Sequence, residues 1–268
     1  MALESRVEAI AHGFSGTLGV AAVNLTTNER YERLADMSFY PASTIKLPLL
    51  YEVFRGAMEG RWSLEQRLTL STANIVEGSG ILQDMTPGLQ LPVRDLALLM
   101  TVISDNTATN MLVDLCTTDA VNRSMAELGV EGVRMNRKIG LETHIPMGEA
   151  TPRGMARLMA LVASRAVLTP SRCTEMLDIL RRQHYKELTN RFIPETDSED
   201  DKPTVQICSK SGWVRGVRND VALITTPRVQ YVLSMFSKDC QDRRFYHDNE
   251  ASVALARVSQ AVYEAWAR

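Results

Sequence analysis

The sequence predicts an α/β (α+β) protein in which a sheet built from both ends of the chain, flanked by terminal helices, carries an inserted all-helical lobe. Strand-like segments occur only near the two ends, and apolar residues at helical spacing fill the middle. Since the segments at the two ends must bury their apolar faces, we expect them to share one sheet. The expected α/β lobe comprises residues 1–42 and 190–268, and the helical lobe comprises residues 43–189.

The two ends supply the elements of the sheet lobe. At the N-terminus, Leu3, Val7, Ile10 and Ala11 share one face of a short helix. An apolar segment then reaches a turn at Thr26-Thr27-Asn28, which predicts a hairpin. The predicted strands are 16–25, 30–37, 204–209, 220–225 and 229–236, and the predicted terminal helices are 3–12 and 251–266.

The middle of the chain reads as helix from Ser43 onward, where Ile45, Leu49, Leu50 and Val53 recur at helical spacing. The acidic segment 195–200 is expected to be a solvated connection between this block and the last strands. The clearest further helices are 93–103, 108–116, 120–128, 152–164 and 171–182.

Composition narrows the class of protein. There are 30 basic and 32 acidic residues, a net charge of −2, which is unlike the basic excess of nucleic-acid-binding proteins. With 45% hydrophobic and 23% charged residues, the chain is expected to be globular. No apolar run approaches the roughly 18 residues that span a bilayer, so no membrane partner is expected.

The N-terminus does not read as a signal peptide, because Glu4 and Glu8 interrupt it. We therefore expect a cytoplasmic protein, or a periplasmic or secreted one if an export signal has been trimmed. The four cysteines (Cys116, Cys173, Cys208, Cys240) are scattered, which favours buried thiols over a disulfide or a metal site. No metal or other cofactor is expected.

The first candidate for chemistry is Ser43-Thr44-Ile45-Lys46. A serine and a lysine three apart at a helix start lie on the same face. A serine hydroxyl becomes a good nucleophile when a neighbouring base takes its proton, and a lysine with a lowered pKa can do so. Taken alone, the pattern also fits a helix cap at Ser43 followed by a surface lysine.

Two further motifs follow in the chain. Ser104-Asp105-Asn106 comes after an apolar helix, and Lys210-Ser211-Gly212 comes after a predicted strand. Alone, the former fits a helix cap and the latter an edge strand followed by a turn. A glycine at 212 would let a substrate approach the strand edge closely.

In this order, and with these local structures, the motifs resemble those of the serine β-lactamase and penicillin-binding protein superfamily, specifically its class A-like members. The similarity extends over most of the chain, including PASTIK, ISDNTATNML, TPRGMARLM and KSGWVRGVRNDVALI. It implies one β-lactamase/transpeptidase-like domain with an antiparallel sheet.

The resemblance also implies catalytic roles. Ser43 would be the acylated nucleophile and Lys46 its proton acceptor. Ser104 would relay a proton to the leaving nitrogen, with Lys210 nearby, and Asn106 would hold the amide of the substrate.

Substrate-binding roles follow in the same way. Ser211, beside Gly212, would bind a substrate carboxylate. The backbone N–H groups of Ser43 and Trp213 would form the oxyanion hole. Arg218 would pair with a substrate carboxylate, and a surface ion pair is the alternative for this residue.

The chain departs from the family before TPRGMARLM, where class A enzymes carry Glu-x-x-x-Asn and the Glu activates the deacylating water. Anchored on Ile145-Pro146, Lys138 falls at the Glu and Glu142 at the Asn. Glu142 is the first candidate for the replacement base and Glu149 the second. The alternative is that both are solvated carboxylates.

The resemblance predicts a serine hydrolase that forms an acyl-enzyme with a β-lactam or a related small cyclic amide or ester. A penicillin-binding sensor with slow or no turnover is the alternative, and a cell-wall peptidase is a third. The expected partner is a small-molecule substrate, with neither nucleic acid nor membrane.

Overall fold

The computed structural model describes residues 2–140, 146–194 and 204–267. The strands are β1 Thr17–Asn24, β2 Arg30–Arg33, β3 Arg67–Thr69, β4 Gln90–Pro92, β5 Arg134–Met135, β6 Gly148–Glu149, β7 Gln206–Val214, β8 Val217–Thr225 and β9 Gln230–Lys238. The centre of the fold is a five-stranded antiparallel sheet in the order β2-β1-β9-β8-β7, supplemented by two short ribbons, β3–β4 and β5–β6.

Eight α-helices are described. Both terminal helices lie against one face of the sheet, and the helix Pro152–Ala163 lies against the other face. The helices are α1 Leu3–Gly13, α2 Lys46–Met58, α3 Val93–Val102, α4 Asn106–Cys116, α5 Thr118–Glu127, α6 Pro152–Ala163, α7 Pro170–Arg181 and α8 Glu250–Trp266.

Strand β1 pairs with β9 along its whole length, from Thr17 opposite Lys238 to Asn24 opposite Tyr231. The expectation that the two chain ends share one antiparallel sheet is therefore confirmed. Alternate residues of the strands enter different cores. Ala22 and Leu233 face the terminal helices, whereas Ala21 and Val232 face the helical block.

Local capping sets the start of several helices. The Thr151 hydroxyl accepts from Gly154 N, and Pro152 follows at the first helical position. The Asn249 side chain accepts from Ser252 N at the start of α8. These signals are readable in the sequence, and the predicted starts of α6 and α8 agree with the structure to within one residue.

Several expectations on secondary structure are wrong in detail; for example, the strand predicted to begin at Asp220 already begins at Val217. The helix predicted to open at Ser43 begins as a short 3₁₀ helix, Ala42–Ile45, and becomes α-helical at Lys46. The second strand stops at Arg33. The strand predicted to end at Ser209 continues to Val214, because residues 210–214 pair with β8 and tertiary pairing outweighs the glycine.

The middle of the chain is also less uniform than the periodicity predicts, since the two short ribbons interrupt the helices. The division into two lobes stays a prediction. In the part of the chain that the structure describes, no helix combines the length and the apolar character needed to cross a bilayer.

Candidate active site

Ser43 lies in the 3₁₀ helix that precedes α2, at the edge of the sheet. The residue before it, Ala42, has a φ of +46°, a strained conformation that tertiary contacts must maintain. The buried side chain of Asn219 provides such contacts, because its Nδ2 donates to Tyr40 O (2.9 Å) and Pro41 O (3.0 Å). The backbone leading to Ser43 is thus attached to strand β8.

Lys46 is the first residue of α2 and is completely buried. Its Nζ donates to Ser104 O (2.7 Å), Ser104 Oγ (3.1 Å) and Asn106 Oδ1 (2.8 Å). The first two motifs therefore meet at one ammonium group, and the surface lysine considered for position 46 is excluded. With all three N–H donors used, Lys46 must lose a proton before it can accept one from Ser43.

The segment that carries Ser104 is held by Asp105. One carboxylate oxygen of Asp105 caps α4 by accepting from Ala108 N (2.8 Å). The other accepts from Ile81 N (2.7 Å) and Leu82 N (2.9 Å). Ser104 itself has a φ of +57°, so a second strained residue lies at the site.

The third motif lies on β7, beside the nucleophile. Lys210 is completely buried, and its Nζ donates to Ser211 O (2.8 Å). A Cβ atom at Gly212 would lie 2.7 Å from Ser43 N and 2.8 Å from Thr44 N. Only a glycine lets the strand approach the 3₁₀ helix this closely.

Burial lowers the pKa values of both lysines, and the charge of Lys210 adds to this effect at Lys46. Burial and then the charge of Lys210 hold the pKa of Lys46 well below its ordinary value, against the opposing effect of Asp105. Burial lowers the pKa of Lys210 to about 7, and the Asp220 carboxylate opposes this shift. A lysine with a lowered pKa is suited to accept a proton near neutral pH.

A cleft of about 200 Å³ opens between the helical block and β7. It brings together five of the residues singled out in the sequence and three that the sequence reasoning missed. The former are Ser43, Ser104, Ser211, Gly212 and Trp213, and the latter are Ser79, Tyr185 and Phe245.

Arg218 does not line this cleft. Its side chain is almost completely buried, and its two Nη atoms donate to Val214 O (2.9 Å), Val217 O (2.9 Å) and Arg244 O (2.7 Å). Burial lowers the pKa of the guanidinium. Pairing with a substrate carboxylate stays a prediction, and it would require Arg218 to give up one of these carbonyls.

Comparisons with known proteins identify the family of this chain. The family model described as "Beta-lactamase enzyme family" matches residues 2–266. The chain belongs to this family. The solved structure of a β-lactamase from Sphaerobacter thermophilus DSM 20745 superposes with a TM-score of 0.89 and 33% identity, covering 97% of both chains. The structure of PBP-A superposes with a TM-score of 0.87 and 30% identity, covering 98% of this chain and 95% of the other.

Curated relatives are more distant in sequence. Beta-lactamase CTX-M-97 of Escherichia coli is 28% identical over 162 residues, 59% of this chain. That match spans about half of the relative, 55% of its length. A β-lactamase of Rhodobacter capsulatus is 24% identical over 267 residues, 97% of this chain and 88% of the relative.

Some residues expected from the β-lactamase family stand apart from the cleft. Asn106 is half-buried and does not line it; its Oδ1 accepts from Lys46 Nζ, and its Nδ2 donates to Glu77 O (3.2 Å). Lys138, aligned with the family's Glu, forms an ion pair with Asp114. Glu142 lies outside the described residues, and Glu149 is exposed on β6.

The missed residues carry no motif that could have revealed them. Tyr185 and Phe245 lie in polar connections between elements, and Asn219 lies inside a strand beside an arginine. Aromatic residues in otherwise polar loops are the one signal available for the first two.

Within the described ranges, no three His, Cys, Asp or Glu side chains converge in a group that could hold a metal.

Proposed function

We propose that this β-lactamase family member is a serine hydrolase that forms an acyl-enzyme at Ser43 with a β-lactam or a related small cyclic amide or ester. The observation that carries the proposal is the buried Lys46, hydrogen-bonded to Ser104 and one helical turn from Ser43. Its lowered pKa suits it to take the Ser43 proton.

Acylation follows from these positions. Ser43 Oγ loses its proton to neutral Lys46 and attacks the carbonyl carbon of the substrate. The backbone N–H groups of Ser43 and Trp213 stabilise the developing oxyanion. The C–N bond then breaks, and Ser104, which receives a proton from Lys46, passes its own proton to the leaving nitrogen.

A relative supports β-lactams as the substrate class. The L158E mutant of PBP-A, whose solved structure is 29% identical to this chain, is described as an acyl-enzyme complex with penicillin G. For this chain we propose that the Ser211 hydroxyl binds the carboxylate of such a substrate and that Asn106 binds its side-chain amide. Arg218 is a further candidate for the carboxylate.

The deacylation step needs a base for the attacking water. We propose Glu142, with Glu149 as the second candidate, because a loop carboxylate within about 2.6–3.2 Å of the water can act as this base. Glu142→Gln should leave acylation of Ser43 nearly intact and let the acyl-enzyme accumulate. Normal turnover by Glu142→Gln, together with loss of turnover in Glu149→Gln, would assign the role to Glu149.

A penicillin-binding sensor with slow turnover is the second candidate. One observation favours it, because the residue aligned with the family's Glu, Lys138, is a cation paired with Asp114. A carboxylate is therefore absent from that position.

Turnover of a chromogenic cephalosporin, followed alongside the intact protein mass, tests both candidates. Multiple turnovers that vanish in Ser43→Ala support the hydrolase. A stable adduct on Ser43, formed by a single acylation without further turnover, supports the sensor. Hydrolysis at the parent rate by Ser43→Ala would overturn both.

A further inference from the structure

One wall of the cleft is aromatic. The rings of Tyr185 and Trp213 pack at 5.4 Å between centroids with planes tilted by 55°. Phe245 lines the same cleft and is 55% exposed. Three rings thus lie around the opening that contains the Ser43 hydroxyl.

Arg218 ties this wall together. Its guanidinium lies 5.4 Å from the ring centroid of Trp213 and 5.1 Å from that of Phe245, within the range of cation–π attraction. Among the described residues, Trp213 Nε1 has no hydrogen-bond acceptor, so ring contacts rather than hydrogen bonds to the indole hold this side chain. The rings of this wall line the cleft, whereas the charged guanidinium of Arg218 does not line it.

The rest of the cleft indicates which part of a substrate meets these rings. Ser104, which passes the proton to the leaving group, and Ser211 line the cleft with them. Asn106, the residue expected to hold the acyl side, accepts from Lys46 Nζ, donates to Glu77 O and does not line it. The aromatic wall therefore faces the leaving portion of the substrate.

We propose that Tyr185, Trp213 and Phe245 form a subsite for a planar aromatic group on the leaving portion of the substrate. The proposal rests on the proposed acylation of Ser43 and names the substrate class that this site prefers. The cleft, at about 200 Å³, is below the roughly 300–1,000 Å³ usual for ligand sites. A flat ring can lie against these ring surfaces in a narrow cleft, and aromatic pairs prefer offset or edge contacts.

Two esters of phenylacetylglycine test the subsite, one with mandelic acid and one with lactic acid of the same configuration. Their leaving portions share the hydroxyl and the carboxylate and differ only in phenyl against methyl. In each case the ester C–O bond breaks, the Ser43 Oγ–C bond forms, and the Ser43 proton leaves on the released hydroxy acid. The readout is the ratio of kcat/KM for the mandelate ester to that for the lactate ester.

The parent should prefer the mandelate ester by about tenfold or more, the size expected from burying one phenyl group. Phe245→Ala should bring the ratio close to one, and Phe245→Leu, which keeps apolar volume without a ring, should give an intermediate ratio. Tyr246→Ala is the matched control, because Tyr246 is 70% exposed and lies outside the cleft wall. It should keep the parent's ratio.

Benzylpenicillin, scored by its mass adduct on Ser43, separates the two levels of the proposal. An adduct together with a parent ratio near one, or with no cleavage of either ester, overturns the aromatic subsite and leaves the acyl-serine function standing. A ratio unchanged in Phe245→Ala also overturns it. If neither esters nor benzylpenicillin acylate Ser43, the proposed function fails and the subsite fails with it.

Discussion

The side chain of Asn110 forms hydrogen bonds with both the backbone N–H and the backbone carbonyl of Ile139. Asn110 Nδ2 donates to Ile139 O (2.8 Å), and Asn110 Oδ1 accepts from Ile139 N (2.9 Å). Asn110 lies one turn along α4 from Asn106, whose Oδ1 accepts from Lys46 Nζ. Position 139 is therefore fixed beside the helix face that holds Lys46, and its side chain there is apolar.

This arrangement predicts that Ile139→Glu speeds deacylation. The double hydrogen bond fixes the backbone of residue 139 beside the α4 face that carries Asn106, and we expect a carboxylate at 139 to reach and activate the deacylating water. General-base catalysis contributes about 10²–10⁴-fold, and we expect the lifetime of the benzylpenicillin adduct to shorten at least tenfold. The adduct is followed by intact-protein mass after excess antibiotic is removed.

Lys138→Glu is the matched control for that experiment. It places the same carboxylate one residue earlier, where the present side chain is directed at Asp114. Although the sequence aligns this position with the family's Glu, the side chain at 138 is directed at Asp114 and not at the reacting groups, so the adduct on this variant should live as long as on the parent. Equal lifetimes in Ile139→Glu and the parent would show that position 139 does not face the acyl group.

The pH dependence of acylation should depend on Lys210. Its positive charge helps to lower the pKa of Lys46, so Lys210→Gln should raise that pKa. Because neutral Lys46 is the active form, the acidic limb of the acylation rate should move to higher pH in the variant. Rates of adduct formation measured across pH test this.

Lys186→Gln removes the same charge from an exposed lysine and is the control. Its acidic limb should stay where the parent's lies. If Lys210→Gln leaves the limb in place, Lys210 does not set the protonation of Lys46.

Asp220 predicts a pH dependence of stability. It is buried on β8, and burial raises its pKa to about 6 although Thr189 donates to Oδ2 from both N (3.2 Å) and Oγ1 (2.6 Å). A carboxyl whose pKa is raised by folding destabilises the folded state as pH rises through that pKa. The penalty is absent near pH 4 and complete near pH 7.

Asp220→Asn removes this charge at similar size. Its free energy of unfolding relative to the parent should therefore rise between pH 4 and pH 7, by up to about 3 kcal/mol. Urea unfolding of both proteins at the two pH values measures the change. The same difference at both pH values would mean that Asp220 titrates normally in the folded protein.

The close packing at Gly212 predicts that efficient acylation requires a glycine at this position. The Cβ atom of Gly212→Ala would lie 2.7 Å from Ser43 N and 2.9 Å from Pro41 O, so strand and 3₁₀ helix must separate. Because Ser43 N is an expected oxyanion donor, the acylation rate should fall by about 10²-fold or more. Gly13→Ala, where no atom lies within 4 Å of the added Cβ, should acylate at the parent rate. Parent-like acylation by Gly212→Ala would contradict the close packing.

The residues predicted from the sequence are those whose spacing along the chain already encodes a geometry. Ser43 and Lys46 lie one helical turn apart, and Asp105 caps the helix that follows Ser104. The paired strands are readable because continuous apolar runs of strand length mark a sheet that is buried on both faces.

The remaining site residues are brought in by tertiary structure alone. Tyr185, Phe245 and Asn219 reach the site from three separate segments, and nothing in their local sequence distinguishes them from loop or strand residues. The 3₁₀ geometry at Ser43 likewise depends on the contacts of Asn219 and β7 rather than on local propensity.

The central claim is that Ser43 is the nucleophile. Incubation with benzylpenicillin, stopped with acid during turnover and followed by intact-protein mass and peptide mapping, tests it most directly. The account predicts one covalent adduct per chain, located on the peptide that contains Ser43, and no adduct on Ser43→Ala. An adduct on another residue, or an adduct that forms equally on Ser43→Ala, would contradict it.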